Sequence, residues 1–513
     1  MAKLNQIKKV LIANRGEIAV RIIRACRDLG VQTVAVFSEA DRRSLHVRMA
    51  DEAYLIGPAP AKDSYLRADH LLEVAKKSGA NAIHPGYGFL SERAEFARAC
   101  REAGLIFIGP PPEAIEAMGD KVRAKQIARA AGVPLVPGID EELPDWQSAA
   151  KIAEEIGYPV LIKASAGGGG KGMRIVRSAD EIQSAFEGAT REALGAFGYG
   201  GVYIEKLLEN VKHVEIQLMA DTSGNVVYLG ERECSLQRRN QKMLEEAPSV
   251  ALDEELRQEM GSVAVAAARQ VGYVNAGTIE FLLTQDRHFY FMEMNTRLQV
   301  EHPVTELVTG IDLVVEQLRV ADGQPLSFRQ EDIQPNGWAI ECRITAEDPY
   351  NNFLPSIGRV SRAVSANGPG VRLDSAVSDG YEVSLFYDPM IAKLITWGKD
   401  REEAIRRMER ALEEYQIFGI RTTIPYQRQL VGSEPFQSGR FYTRSLETDP
   451  TLKPDPELQH DQKELAGIAA ALFARYRAEQ GRGTRPEVNG QPINPVEVSP
   501  WKEYSRREML RRV

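Results

Sequence analysis

Apolar and polar positions alternate along this chain in two rhythms, one of period two and one of period 3.6. Residues 8–37 show both: KKVLIA reads as a strand, NRGE as a turn, IAVRIIRACRDLG as an amphipathic helix closing on Gly30, and VQTVAVF as a second strand. The alternation continues through HLLEVAKKSG, NAIHPGYG, SERAEFARACREAG and LIFIGP, so residues 1–118 predict an open parallel sheet flanked by helices. From 119 to 335 the texture changes. Helices are predicted over 119–132 and 145–157, then two apolar segments, YPVLIKAS and MRIVRS, flank glycines 167–170, Lys171 and Gly172 as a hairpin or flap would. From 336 to 447, the β-like stretches WAIECRI, GVRLDS and AKLITWG precede one strong helix, REEAIRRMERALEEY, which predicts a third, α+β unit. TDPTLKPDPELQ, with three prolines in twelve residues, reads as a linker. Beyond it Leu465, Ile468, Leu472 and Tyr476 recur near helical spacing.

Composition narrows the class. The chain has 513 residues, 43% hydrophobic and 27% charged, with 42 Gly and 27 Pro, which suits a globular enzyme of several domains and excludes disordered and collagen-like chains. A net charge of −8 gives no electrostatic reason for sequence-independent nucleic-acid binding. The apolar run near the N-terminus is too short for a signal peptide and no stretch approaches the ~18 apolar residues of a membrane span, so a cytoplasmic protein without membrane or nucleic-acid partners is expected. Cys26, Cys100, Cys234 and Cys342 stand singly and are expected to be small buried apolar residues. The N-terminal unit resembles a Rossmann domain, yet its first turn, Asn14-Arg15-Gly16-Glu17, has one glycine where a dinucleotide fingerprint needs three. That disfavours a dehydrogenase. A Walker A loop is excluded too, because Gly170-Lys171 is followed by Gly172 rather than Ser or Thr.

The segment from Phe289 to Glu301 carries the most chemistry. Glu293, Asn295, Arg297, Gln299 and Glu301 occupy odd positions, hence one side of the strand if it extends that far. Upstream, GTIEFLL can pair with it through the turn TQDRH and bring Glu280 near Glu293. Two carboxylates and an amide oxygen suit magnesium bridging nucleotide phosphates; a solvated strand face with alternating charges is the other reading. The glycine run supplies backbone N–H groups for phosphates, with Lys163 just before it, or else it is a plain hairpin tip. Taken alone, Lys121 is a helix-surface lysine and His213 a satisfied core or surface group. ERECSLQRRNQKMLEE is an anion site or an ion-paired surface, and HPGYG is a loop at the sheet's carboxyl edge or a structural turn.

Together these segments resemble the biotin carboxylases of the ATP-grasp superfamily. From about residue 7 to 447 the chain carries, in the family's order, NRGEIAVR, HPGYGFLSE, MGDK, IKASAGGGGKGM, KHVEIQ, ERECSLQRRNQKMLEEAPS, EMNTRLQVEHPVTE, AIECRITAEDP and YDPMIAKL. The resemblance implies a multidomain α/β and α+β protein. It would have a Rossmann-like (pre-ATP-grasp) N-terminal domain at 1–118, an ATP-grasp domain at 119–335 with a mobile flap at about 136–207, a C-terminal biotin carboxylase domain at 336–447, and a linker and tail at 448–513. It implies a ligase in which ATP phosphorylates bicarbonate to carboxyphosphate and the carboxyl group passes to N1′ of biotin. Glu301 would be the base; Arg297, Lys242, Gln299 and the Val300 backbone would hold bicarbonate; Arg343 would stabilise the biotin enolate, with Tyr87 a further contact to bicarbonate or biotin. Glu280, Glu293 and Asn295 would hold magnesium or manganese, two divalent ions being expected. ATP would meet Lys121, Lys163, Gly168, Gly169, Gly170, His213, Gln237 and Asn240, with its adenine against Glu205, Lys206 and Leu208 and between Met173 and Leu282. The family is typically dimeric, and Arg15, Glu17 and Arg21 resemble positions near that interface.

One position departs from the family: RRHQK is common where this chain reads Arg238-Arg239-Asn240-Gln241-Lys242, so altered nucleotide affinity is expected there. No Met-Lys dipeptide occurs, so biotin is expected on a separate carrier protein, with a separate carboxyltransferase choosing the acceptor. An acyl-CoA acceptor is favoured, with pyruvate as the alternative. A noncatalytic nucleotide-binding assembly subunit would be expected to lack Glu301, Arg297 or Arg343, and all three are present.

Overall fold

A computed structural model describes residues 4–139, 141–165, 173–197, 199–456, 471–475, 487–488 and 491–492. The chain divides into two compact units, Met1–Pro454 and Asp455–Val513.

The first βαβ unit forms where the patterning places it. Lys9–Ile12 leads into the helix Gly16–Asp28, which buries Ile18, Ile22 and Cys26 on one side, and Gln32–Ser38 returns parallel to the first strand. Gly30, at φ +69°, supplies the left-handed residue that stops the helix. The finished sheet has five parallel strands in the order Glu52–Gly57, Gln32–Ser38, Lys9–Ile12, Ala82–His84 and Ile106–Phe107. Glu52–Gly57 is an edge strand, and it leaves Leu55 exposed although Ala53, Tyr54, Leu55 and Ile56 form an apolar run. All four cysteines are buried and unpaired, as expected.

The middle of the chain builds an eight-stranded antiparallel sheet. Its order is Phe289–Asn295, Asn275–Leu283, Lys212–Ala220, Val226–Arg238, Gln241–Ala247, Trp338–Thr345, Met390–Gly398 and Val371–Ser375. The three β-like stretches beyond residue 336 therefore extend the same sheet rather than forming one of their own, through the pairing of Gln241–Ala247 with Trp338–Thr345. A separate three-stranded sheet holds Val160–Ala164 between Met173–Val176 and Val202–Lys206, which is the predicted hairpin with one strand added. Gly168, Gly169 and Gly170 lie outside the described residues, as do Leu465, Ile468 and Tyr476. The predicted linker begins as part of the fold: Leu452 is buried, and its carbonyl accepts a 2.6 Å bond from the Tyr426 hydroxyl. In the second unit Glu487–Val488 and Gln491–Pro492 pair antiparallel.

One buried histidine ties the N-terminal sheet to the cleft. His84 ends the strand Ala82–His84, and its Nδ1 accepts a 3.1 Å bond from the Gly86 N–H, which requires that nitrogen to be unprotonated. Burial, and then the nearby Arg21 charge, depress its pKa to about 3. The unfolded chain takes up this proton below about pH 6.5 and the folded chain does not. Stability is therefore expected to fall as pH drops from 6.5 towards 3, by about 2 kcal/mol from this group at pH 5. Thermal melts at pH 7 and pH 5 should show a smaller drop for His84→Asn, whose amide oxygen can still accept from Gly86.

Candidate active site

The chain's two N-terminal loops and its central sheet enclose a cleft of about 650 Å³, of a size that suits a small-molecule site. Asn14, after the first strand, donates to the carbonyls of Pro85 (2.7 Å) and Tyr87 (2.8 Å), so NRGE and HPGYG are pinned together at the sheet's carboxyl edge. Gly86 permits this: it sits at φ +64°, and a Cβ there would lie 2.9 Å from the Asn14 amide nitrogen. Tyr87 and Glu17 thereby reach the cleft wall.

The floor comes from the large sheet. Lys242 Nζ contacts three carboxylates, Glu215 at 2.6 Å, Glu280 at 2.8 Å and Glu301 at 2.6 Å. Arg343 holds the other Glu301 oxygen at 2.9 Å while its Nε donates to Glu245. Arg232 lies fully buried beneath, donating to Glu215, Gln217, Thr278 and Thr305. Burial alone would push the Glu301 carboxyl up, but Lys242, then Arg343 and Arg232, hold it well below the usual range. The same carboxylates drive Lys242 well above its ordinary value against its own burial. Glu301 is thus an anion, and Lys242 a cation, throughout the neutral range.

Glu280 and Glu293 face each other in register across adjacent strands, as the hairpin reading requires. Glu280 also receives the Asn295 amide at 3.0 Å and stands 3.0 Å from His213 Nε2, whose other ring nitrogen meets Gln237 at 2.8 Å. Desolvation, and then the Glu280 charge, raise the Glu293 carboxyl. Two opposed carboxylates beside an amide oxygen form a hard-oxygen set whose mutual repulsion a divalent cation would relieve, so the residues fit such an ion.

The strand carrying Glu293 stops at Asn295, however. Arg297 and Gln299 follow in a loop, and Glu301 immediately precedes the helix His302–Thr309 without capping it through its side chain. The alternation read across 293–301 is therefore only partly a strand. The residues still converge: Arg297 bonds Gln299 (2.8 Å), Asn295 (3.0 Å) and Glu92 (2.9 Å), and Gln299 donates to Glu280 at 3.1 Å.

Asn240, with Arg239, forms the two-residue turn between Val226–Arg238 and Gln241–Ala247, at φ of 64° and 50°. Asn and His are both among the residues that tolerate this left-handed region, so the backbone explains why Asn can stand at that position. Gln237, Asn240, Val300 and His213 border the same cleft. Lys121, Lys163, Met173, Glu205, Lys206, Leu208 and Leu282 are not among its lining residues. Lys121 opens the helix Lys121–Ala130, and its charge reaches Glu293. Lys163, Met173, Glu205 and Lys206 belong to the three-stranded sheet, where Lys163 is paired with Glu205 and Lys206 donates to the carbonyls of Gly157 and Tyr158 at 3.0 Å.

Three family models match in sequence: the biotin carboxylase N-terminal domain over residues 6–115, the ATP-binding domain of the carbamoyl-phosphate synthase L chain over 120–329, and the biotin carboxylase C-terminal domain over 341–448. Biotin carboxylase 1 of Bacillus subtilis is 57% identical over 443 residues, which is 86% of this chain and 98% of that one. The chain belongs to the biotin carboxylase family. It is an ATP-dependent biotin carboxylase, with the mixed α/β architecture that the sequence resemblance implies. The mitochondrial propionyl-CoA carboxylase alpha chain of Sus scrofa is 50% identical over 498 residues, 96% of this chain and 68% of that one. Among solved structures, the biotin carboxylase domain dimer of the Hydrogenobacter thermophilus 2-oxoglutarate carboxylase, in complex with MgADP, ADP and bicarbonate, matches at a TM-score of 0.82 and 52% identity, covering 88% of this chain and 99% of that one.

The buried partners in this biotin carboxylase carry little signal in sequence. Glu215 stands two residues after His213 in KHVEIQ, on the same side of its strand, and period two was the available signal. Glu245 and Arg232 were legible only as members of a charged run. Lys393, alone in the apolar AKLITWG, was a stronger hint, since lysine is almost never fully buried unless paired. Among the described residues no helix is long and apolar enough to cross a membrane. Arg15, Glu17 and Arg21, expected near a dimer interface, are engaged within the chain, Arg15 with Asp41 and Arg21 with Glu306 and Asp312.

Proposed function

We propose that this enzyme carboxylates biotin borne on a separate carrier protein, as the biotin carboxylase subunit of an acyl-CoA carboxylase, with Glu301, Lys242, Arg297 and Arg343 as its working groups. The observation that carries the residue assignment is the Glu301 carboxylate held between Lys242 and Arg343 at the floor of the cleft. Glu301 takes the proton of bicarbonate. In the resting arrangement it is a weak base, and it gains basicity as Lys242 and Arg343 turn from it to the incoming anions. Arg297, Gln299 and the Val300 backbone orient bicarbonate for attack on the terminal phosphate of ATP. Arg343 then faces the enolate oxygen of biotin with a guanidinium that never deprotonates, and Tyr87 borders the biotin side. Glu280, Glu293 and Asn295 would hold magnesium or manganese, which would supply positive charge to offset that of the phosphates. Lys163, Gly168, Gly169 and Gly170 contact the nucleotide phosphates, and Lys121, His213, Gln237 and Asn240 meet ATP as well. Glu205, Lys206, Leu208, Met173 and Leu282 bound the adenine. The protein works as a dimer beside a carrier and a carboxyltransferase.

The match over 96% of this chain to a propionyl-CoA carboxylase alpha chain favours an acyl-CoA as final acceptor. The 2-oxoglutarate carboxylase relative, covered over 99% of its length, favours a 2-oxoacid as the second reading. ADP release with magnesium, ATP and bicarbonate should depend on bicarbonate and rise with free biotin; its absence, even with a biotinylated carrier, would leave a noncatalytic subunit. Transfer of labelled carboxylate to acetyl-CoA or propionyl-CoA, rather than to pyruvate or 2-oxoglutarate, in a reconstituted complex separates the two acceptors.

A further inference from the structure

We infer that Lys393 is a positioning residue that couples the biotin side of the cleft to the bicarbonate side, because its ammonium clamps the Val300–Glu301 peptide to the Glu17 carboxylate that receives the Tyr87 hydroxyl. The inference rests on the reading of Glu301 and Val300 as bicarbonate groups and of Tyr87 as a biotin contact.

Lys393 lies in the strand Met390–Gly398, opposite Arg343 on one neighbouring strand and Asp374 on the other, and is 0% exposed. Its nearest partner is not a carboxylate. Nζ donates to the Val300 carbonyl at 2.8 Å, stands 3.4 Å from Glu17 and reaches Asp374 only at 3.9 Å. That carbonyl shares its peptide unit with the Glu301 nitrogen, so the lysine fixes the plane from which the Glu301 side chain departs. On the other side, Glu17 accepts the Tyr87 hydroxyl, and the Tyr87 ring centroid is 5.9 Å from the same ammonium. Asp374 needs Lys393 less, because Arg372 already binds both of its oxygens, at 3.1 and 2.8 Å. A lysine serving only to neutralise Asp374 would have its closest contact there. The chain of contacts instead runs Tyr87, Glu17, Lys393, Val300 carbonyl, Glu301, crossing the cleft wall beneath both proposed subsites. Displacement at either end reaches the other through two hydrogen bonds and an ion pair, whose middle members, Glu17 and Lys393, are buried.

The test is steady-state kinetics on five variants of the full chain with ATP, bicarbonate and free biotin. Lys393→Met should lower kcat and raise the KM for bicarbonate and for biotin by about tenfold or more, while the KM for ATP stays within about twofold. Lys393→Gln keeps a donor for Val300 and should recover part of kcat but not the biotin KM. Tyr87→Phe removes only a hydroxyl, so it decides the matter even if the Lys393 variants fold poorly. It should raise the KM for bicarbonate several-fold, about as much as Glu17→Gln does, and the two changes combined should be no worse than either alone. The proposal is overturned by an unchanged bicarbonate KM in Tyr87→Phe, by additive effects in the double variant, or by a Lys393→Met protein whose three KM values rise together. Failure of the underlying reading looks different: the unmodified chain would then show no bicarbonate-dependent ADP release.

Discussion

Glu301→Gln should retain ATP binding and lose biotin carboxylation by about three orders of magnitude, the scale of a general base removed from a proton transfer. The amide is isosteric and can still face Lys242 and Arg343, which hold the carboxylate at 2.6 and 2.9 Å, so the floor of the cleft should survive. The loss belongs in kcat for bicarbonate-dependent ADP release, with the KM for ATP little changed. The pH profile adds a second check. Because Lys242, Arg343 and Arg232 overcome the effect of burial and hold Glu301 well below the usual carboxylate pKa, lowering the pH from 8 to 6 should not protonate it in the free enzyme. An acidic limb in kcat/KM above pH 6 that vanishes in Glu301→Gln would contradict that state.

The largest effect on stability is expected at Arg232. Its guanidinium is fully buried and donates to Glu215 while filling the hydrogen-bonding needs of Gln217, Thr278 and Thr305. Arg232→Met keeps the length but strands Glu215, whose carboxyl burial already raises, with Lys242 as its remaining cation. Removing one partner of a buried ion pair costs about 3–5 kcal/mol, enough to move a denaturation midpoint clearly. Activity per folded molecule should also fall, because Lys242 would be drawn towards Glu215 and away from Glu301. A midpoint shift below about 1 kcal/mol would mean that Lys242 and the surrounding hydroxyls already satisfy Glu215.

The elements that were legible are those whose signal is local. The helix Gly16–Asp28 and its flanking strands carry their period in their own residues, and the pairing of Glu280 with Glu293 follows from a hairpin short enough to see. What stayed hidden depends on distant partners. Nothing near Trp338–Thr345 announces that it will lie against Gln241–Ala247, almost a hundred residues earlier, and this pairing is what brings Arg343 to Glu245 and Glu301. The end of the strand at Asn295 was equally hidden, because the polar positions that follow keep period two in a loop. The motif resemblance supplied the missing third dimension for Glu301 and Arg343, but assigned no role to Arg232 or Lys393, which lie within its motifs and whose importance lies in burial.

That pairing also sets a timetable for synthesis. When Gln241–Ala247 leaves the ribosome its outer edge has no neighbour, because the strand that covers it ends at Thr345. At about 5–20 residues per second the wait is roughly 5–20 s, during which a row of open backbone groups stays unpaired and exposed. The nascent protein must therefore be shielded, or remain uncollapsed, until Trp338–Thr345 has emerged to cover that edge.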